Sequence, residues 1–511
     1  MVSSGIHVKE HTAFDVAGKR VYMVGIGGCG MAGLARMLKA RGAVVSGSDL
    51  NPSEATDQLE REGIAVGFDQ SRSWLPGHEE GGCDLVVASA AIKPDHPQML
   101  EAERRGIPTM WYAEALGRCM LGRTAISVAG THGKSTTTAM LGAVLVDAGL
   151  DPTVIVGATC AQLEHGCLGP RGKPVGFRLG SESIASGRFK GRPGLLVAES
   201  CEFNRSFHNY RPTIASISAV EADHLDVFGS LDEVVKAFHE FAKLIAPEDQ
   251  GGRLLIAQDN TQRTVVTAGL SCKVETIGFR PDADWVVSFD PESRRATLSY
   301  EGKQVVEWMV RLPGVHNAMN GATAAALALM AGADAEAVGV SLSAFRGIDR
   351  RTQYLGERRL PGGGSVRVYD DYGHHPTEVW STLKAMQEFE RPRDRGGRLI
   401  CVFQPHQHSR TRHLLEEFAA AFESADLVLV PHIYFVRDTQ AEKQKVSAAD
   451  LVDRLRQRGV KALHLYPFEA IVDHLEHVCR DGDLVVVMGA GPVNQIAHSY
   501  LKMGEAVLAA R

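Results

Sequence analysis

The chain has no apolar stretch near the ~20 residues that a membrane-spanning helix requires, no C-x-x-C pair, only 6% aromatic residues and no excess of basic charge. Each absence excludes something. Without a long apolar run a helical membrane protein is excluded, and the first twenty residues, MVSSGIHVKEHTAFDVAGKR, lack the apolar core of a secretory signal, so a cytoplasmic location is expected. A net charge of −6 and a pI near 6.4 argue against nucleic acid or anionic lipid as the main partner, leaving small phosphorylated ligands that bind at local sites. The nine cysteines are odd in number and scattered, which reads as reduced thiols rather than a disulfide framework.

What is present is a glycine-rich, aliphatic composition: 53 glycines and 44% apolar residues in 511, the balance of an α/β enzyme. That length exceeds what one hydrophobic core supports, so several domains are expected. Short β-branched runs alternate with helical patterns in three successive units. The first holds VYMVGIG at 21, a helix from about Met31 to Arg41, AVVSGSD at 43 and DLVVASAA at 84. The second runs from Thr124 through LLVAES at 195 and TIASISAVEADH at 213; the third contains SVRVYDDYGHH at 365, RLICVFQPH at 398, ADLVLVP at 425 and DLVVVMGAG at 483. Continuous apolar strands separated by helices predict parallel sheets covered on both faces. The expected division is residues 1–122, 123–350 and 351–511, with a loop over 166–194.

In GTHGKSTTT, placed between the strand AISVA and an apolar helix, Gly130 and Gly133 let backbone N–H groups wrap a phosphate. Lys134 supplies a charge and Ser135 a hydroxyl for Mg²⁺, with Thr131, His132 and Thr136 completing the loop. Val128 stands where the usual first glycine of such a loop would be. The run Gly25, Gly27, Gly28, Gly30, Gly33 follows the first strand and Asp49 ends the second, a pattern that fits a dinucleotide, a nucleotide diphosphate or close helix packing. Glu199 and the group Glu221, Asp223, His224 and Asp226 fall at strand ends, where ligand crevices of parallel sheets lie, so Glu199 and His224 are candidates to complete a metal site with Ser135. His316, Asn317 and Asn320 open a helical run, for which capping is the simplest role. Asp371, His374 and His375 cluster after a β-run, and imidazoles with a carboxylate are costly to place there without partners.

In order and spacing, GIGGCGMAGLA, GTHGKSTTT, VEADHLD, GVHNAMN, FRGIDRR, DDYGHHPTEV and FQPHQHSRT resemble the Mur ligases of peptidoglycan synthesis over nearly the whole chain. The resemblance implies a Rossmann-like first domain holding a UDP-sugar, a central P-loop ATPase domain, and a Rossmann-like C-terminal domain presenting an amino acid. It implies ATP and Mg²⁺ as cofactors, and UDP-N-acetylmuramate and L-alanine as substrates. On this pattern Gly25, Gly27, Gly28, Gly30 and Asp49 hold the UDP-sugar. Ser135, Glu199 and His224 hold metal, and His316, Asn317 and Asn320 lie at the adenine. Lys134, His224, Arg351, His374 and His375 act in catalysis, with Arg351, Asp371 and His374 also at the substrate. A monomer or weak homodimer is expected.

The chain departs from the family pattern at Ser200–Cys201–Glu202, where an acidic pair is usual, at Gln407 and His408, and at Pro492 in GAGPVN. Lys236 and Lys243 are the nearest candidates for a carbamylated lysine, with His239 closer to the expected position. A ligase adding a preformed peptide to the same sugar nucleotide, an NAD(P)-dependent oxidoreductase and a non-catalytic nucleotide-gated binder are the competing readings.

Overall fold

The computed structural model describes residues 14–71, 75–76, 82–436 and 438–509, so most of the segment read above for a secretory signal lies outside the described residues. Among the described residues the chain forms three sheets. The first is wholly parallel, in the order Ala65–Gly67, Val44–Ser48, Arg20–Val24, Leu85–Ala88, Thr109–Trp111. Strand order reverses beside Arg20–Val24, and the glycine loop leaves from that switch point into the helix Cys29–Ala40.

The second sheet has ten strands. Its parallel centre runs Lys273–Gly278, Arg253–Ala257, Ile214–Ile217, Thr124–Ala129, Leu195–Glu199 and Thr153–Cys160, and antiparallel strands close both edges. One edge corrects the sequence expectation: Val175–Arg178, inside the stretch expected as loop, pairs antiparallel with Thr153–Cys160. A four-residue edge strand bounded by Pro174 and Leu179–Gly180 is too short for its periodicity to stand out.

The third sheet runs Gln353–Arg359, Ser365–Asp371, Leu484–Met488, Leu399–Phe403, Leu427–Val430, Ala462–His464, parallel except for its first pair. Its core is separate, with Phe403, Phe418 and Phe422 on one face and Ile471, Leu475 and Tyr500 on the other. The first two sheets, by contrast, share one apolar cluster in which Leu34 and Leu116 join Phe177, Phe207 and Tyr210. The three-layered α/β architecture in three units is therefore the expected one, with the first two units packed more intimately.

That packing depends on missing side chains. A Cβ at Gly117, in the helix Tyr112–Met120, would lie 2.1 Å from the carbonyl oxygen of Asn209 in the next unit. Backbone cannot yield as a side chain can, so Gly117→Ala should cost about 1–3 kcal/mol through overpacking. A lowered thermal midpoint with an unchanged far-UV spectrum is the expected result.

Candidate active site

The strand Thr124–Ala129 is buried along its whole length and lies at the switch point of the second sheet. The loop that follows turns at Gly130 (φ +124°) and Gly133 (φ +80°), conformations that L side chains avoid. Space is equally restrictive, since a Cβ would lie 2.0 Å from Ser218 Oγ at Gly130 and 2.5 Å from Asn320 Oδ1 at Gly133. The loop is fastened to the neighbouring strand end by Thr131 N to Ala219 O (2.7 Å), Glu221 N to Thr131 Oγ1 (3.0 Å) and Ser218 Oγ to His132 O (2.6 Å). The helix Lys134–Asp147 begins there, so its first N–H groups face the loop as an anion cradle.

Lys134 donates to the carbonyls of Gly130 (2.6 Å) and Thr131 (3.0 Å) and pairs with Glu202 at 2.9 Å. Burial opposes its charge, but Glu202 outweighs that and holds its pKa above the usual value. Ser135 Oγ donates to Glu199 Oε1 at 2.9 Å, and the other Glu199 oxygen accepts Gly157 N at 2.7 Å. His224, expected beside Glu199, instead groups with Glu202 and Asp223, which divides the proposed metal ligands into two sets. It sits in a left-handed conformation (φ +52°) before the short helix Leu225–Phe228 and makes no side-chain cap. The side chain of Asp226 lies outside the described residues.

The third unit reaches this region through carboxylate contacts. Arg410, from the helix His408–His413, enters the interface and donates to Asp223 Oδ1 at 2.7 Å, both side chains being buried. Burial would raise the Asp223 pKa, yet the guanidinium and the neighbouring histidines hold it well below the ordinary range. The second contact centres on Glu378, in the first turn of the helix Pro376–Glu390. Its Oε1 lies 3.3 Å from His132 Nδ1 and accepts Arg351 Nη1 at 3.4 Å, while Oε2 accepts the backbone N–H groups of His374 (2.9 Å) and His375 (3.2 Å). Burial opposes ionisation here too, and the His132 hydrogen bond with the surrounding cations reverses it, so the carboxylate stays charged. His132 also reaches Glu221 Oε2 at 3.3 Å; burial works against its charge, but the two carboxylates raise its pKa to about 9.

His374 is pushed down to about 4 by burial, and His375 is lowered for the same reason. His374 Nδ1 lies 3.1 Å from Tyr372 O, the geometry that makes Nδ1 the donor and leaves Nε2 as acceptor. Asp371, expected at the substrate, is turned inward: it accepts Thr352 N (2.7 Å), Thr352 Oγ1 (3.2 Å) and Gly373 N (2.6 Å), so it shapes the turn. Arg350 likewise donates to Gly489 O and Gly491 O, at 2.7 and 3.2 Å.

The bland capping role of His316, Asn317 and Asn320 is also corrected. The helix Val315–Met330 starts on Gly314 without a side-chain cap, and Asn317 donates to Pro313 O (2.8 Å) while accepting from Asn320 Nδ2 (3.1 Å). Asn320 in turn meets Thr137 at 3.3 Å, connecting this row to the P-loop helix. Burial lowers His316 to about 4. At the first loop, Asp49 Oδ2 accepts Gly27 N at 2.8 Å and so organises the turn itself. A Cβ at Gly27 would meet Thr56 and Asp49, one at Gly30 would lie 2.7 Å from the Tyr112 hydroxyl, and one at Gly33 3.0 Å from Phe177. The close-packing reading therefore accounts for these three glycines, whereas Gly25 (φ +77°) and Gly28 shape the turn before the helix. Lys236 and Lys243 are exposed and His239 is bonded to Val266 O at 3.1 Å, so neither lysine joins the site.

Sequence reasoning missed Glu378, Arg410 and the role of Glu202. His375-Pro376-Thr377-Glu378 has the capping-box spacing that announces a carboxylate folded back on a helix start. Nothing in the local pattern of Arg410 or Glu202 distinguishes them from surface charges.

Family models match almost the full length: "Mur ligase family, catalytic domain" over residues 20–124, "Mur ligase middle domain" over 128–328 and "Mur ligase, glutamate ligase domain" over 350–491. The chain is 35% identical to a UDP-N-acetylmuramate–L-alanine ligase of Agathobacter rectalis, the match covering 94% of this chain and 97% of the relative. Among solved structures, a UDP-N-acetylmuramate-alanine ligase of Thermotoga maritima aligns at TM-score 0.72 with 23% identity over 96% of this chain and all of the other. A murein peptide ligase of Psychrobacter arcticus aligns at 0.66 with 24% identity, covering 95% and 98%. The chain belongs to the Mur ligase family.

The Arg410–Asp223 pair generates a prediction. Removing one partner of a buried pair leaves the other charged and alone, a cost of about 3–5 kcal/mol, so Arg410→Gln should loosen the contact between the second and third units. Asp223 is depressed in the folded chain, so its contribution is complete above the usual carboxylate pKa and lost only as pH falls through the lower folded value. Thermal melts from pH 7 to 3 should show the variant less stable throughout, with the difference beginning to narrow only toward pH 3.

Proposed function

We propose that the chain is an ATP-dependent ligase that joins the lactyl carboxylate of UDP-N-acetylmuramate to L-alanine, releasing ADP and phosphate, in cytoplasmic peptidoglycan synthesis. The observation that carries the reading is likeness to UDP-N-acetylmuramate–L-alanine ligases over 94% of the chain, with a phosphate loop facing the third unit across Glu378. The functional divisions are 1–122 for the UDP-sugar, 123–350 for ATP and 351–511 for the amino acid.

A carboxylate is a poor acylating agent. Its oxygen attacks the γ-phosphorus, the bond to ADP breaks, and an acyl phosphate results; the amine then attacks the acyl carbon and phosphate leaves. Negative charge spreads over phosphoryl oxygens in the first step and onto a tetrahedral oxyanion in the second. The start of the helix Lys134–Asp147 and the Lys134 ammonium meet that charge. Ser135 and Glu199 offer a hydroxyl and a carboxylate oxygen 2.9 Å apart, the oxygen donors Mg²⁺ prefers. When bound there, Mg²⁺ neutralises phosphoryl charge. His224 lies with Glu202 and Asp223 in a second group able to hold a metal. Arg351, on Glu378, adds a second cation near the loop. His374 is neutral, and its Nε2 is the acceptor suited to the proton that the amine loses. The third unit excludes water that would hydrolyse the acyl phosphate.

The test is phosphate release with ATP, Mg²⁺ and UDP-N-acetylmuramate, comparing L-alanine, glycine, L-serine and a free tripeptide beginning with L-alanine. L-Alanine should give the highest kcat/KM; preference for the tripeptide would move the assignment to a peptide-recycling ligase. Lys134→Ala should reduce kcat by at least about 10²-fold with the fold intact, and near-normal turnover would remove the loop from catalysis.

A further inference from the structure

Three side chains from separate segments converge where the second and third units meet: His132 in the phosphate loop, Glu221 beyond the strand Ile214–Ile217, and His375 at the start of the helix Pro376–Glu390. One ligand atom from each lies within 4.8 Å of the other two. His132 Nε2 is 3.3 Å and His375 Nδ1 4.0 Å from Glu221 Oε2, and the two imidazole rings are 4.9 Å apart. His375 is only 6% exposed, and its Nε2 is buried without a hydrogen-bond partner. The nitrogen of that ring nearest Glu221 is Nδ1.

We propose that His132, Glu221 and His375 form a site for an imidazole-preferring divalent metal of the Zn²⁺ class, bridging the second and third units and separate from the Ser135–Glu199 oxygen pair. Two histidines and one carboxylate are the donors that zinc and its transition-metal neighbours select, whereas Mg²⁺ prefers oxygen alone. The surrounding contacts are those of a metal-binding histidine. With Nε2 facing the site, His132 Nδ1 lies 3.3 Å from Glu378 Oε1, the carboxylate–histidine arrangement that orients a ligating ring and fixes its tautomer. Thr377 Oγ1 donates to Glu221 at 2.8 Å and holds that carboxylate in place. His375 Nδ1 gives up little to bind, because the capping bond it accepts from Thr377 N is long, at 3.3 Å. A metal here ties the phosphate loop to the third unit. It therefore acts as an inhibitory lock, restraining the opening that product release needs. The proposal does not depend on which amine the enzyme uses.

The experiment is titration of Zn²⁺ alone onto the full chain, with Mg²⁺ in excess and no nucleotide, read by calorimetry and by the rise in thermal midpoint. One tight equivalent per chain is expected, and Co²⁺ in its place should give visible absorption bands of a low-coordinate site with nitrogen ligands. His132→Asn and His375→Asn should each weaken Zn²⁺ binding by at least about tenfold, while His224→Asn should not. If either site variant fails to fold, Glu221→Gln carries the same expectation. Wild-type affinity in the site variants, or loss of zinc with His224→Asn, would overturn the assignment, the latter by moving the metal to the Glu202–Asp223–His224 group.

Discussion

The partly buried carboxylate of Glu378 is the contact on which the arrangement of the site depends. One oxygen faces the phosphate loop through His132 and the interdomain connection through Arg351; the other holds the backbone of His374 and His375. A single charged group thus sets the distance between the ATP loop and the histidine pair. Burying it is costly, and only the convergence of His132 and Arg351 with two backbone donors makes the ionised form stable there. Such a contact is sensitive to geometry: a small displacement of either unit removes several partners together, which suits a contact that forms on closure and breaks on opening.

The connection between the two units is built to be held from both sides. Asp349 N donates to Thr159 O at 2.9 Å on the second unit, and Thr352 N to Asp371 at 2.7 Å on the third. Between them Arg350 (φ +59°) and Thr352 (φ +48°) adopt left-handed conformations unusual for such residues. The inward turn of Asp371 is explained by this duty. Arg410–Asp223 and His132–Glu378 both cross this interface, so ionic contacts join the third unit to the second. The first two units share one apolar core and are correspondingly less free to separate.

Much of this was legible in the sequence because it is local. The P-loop, its helix and the sheet periodicity follow from residues adjacent in the chain, and Gly130 and Gly133 carry the left-handed angles their positions demand. Interactions between residues distant in the chain were not legible. Glu202 reads as a surface acid until the fold brings it to Lys134, Arg410 as a solvated cation until it reaches Asp223, and His224 as a partner of Glu199 until the backbone turns it toward Glu202. At Asp49 the spacing of a ribose ligand coincides with a carboxylate that accepts Gly27 N. Side chains that satisfy buried backbone and side chains that meet a ligand have the same composition, and only geometry separates them.

The most direct test of this account is a double-mutant cycle on kcat/KM for ATP using His132→Asn, Glu378→Gln and the pair. If Glu378 joins the phosphate loop to the third unit through His132, the two losses will not add, with a coupling of about 1 kcal/mol or more. Additive losses would show that the two residues act separately and would contradict the central role given to that contact.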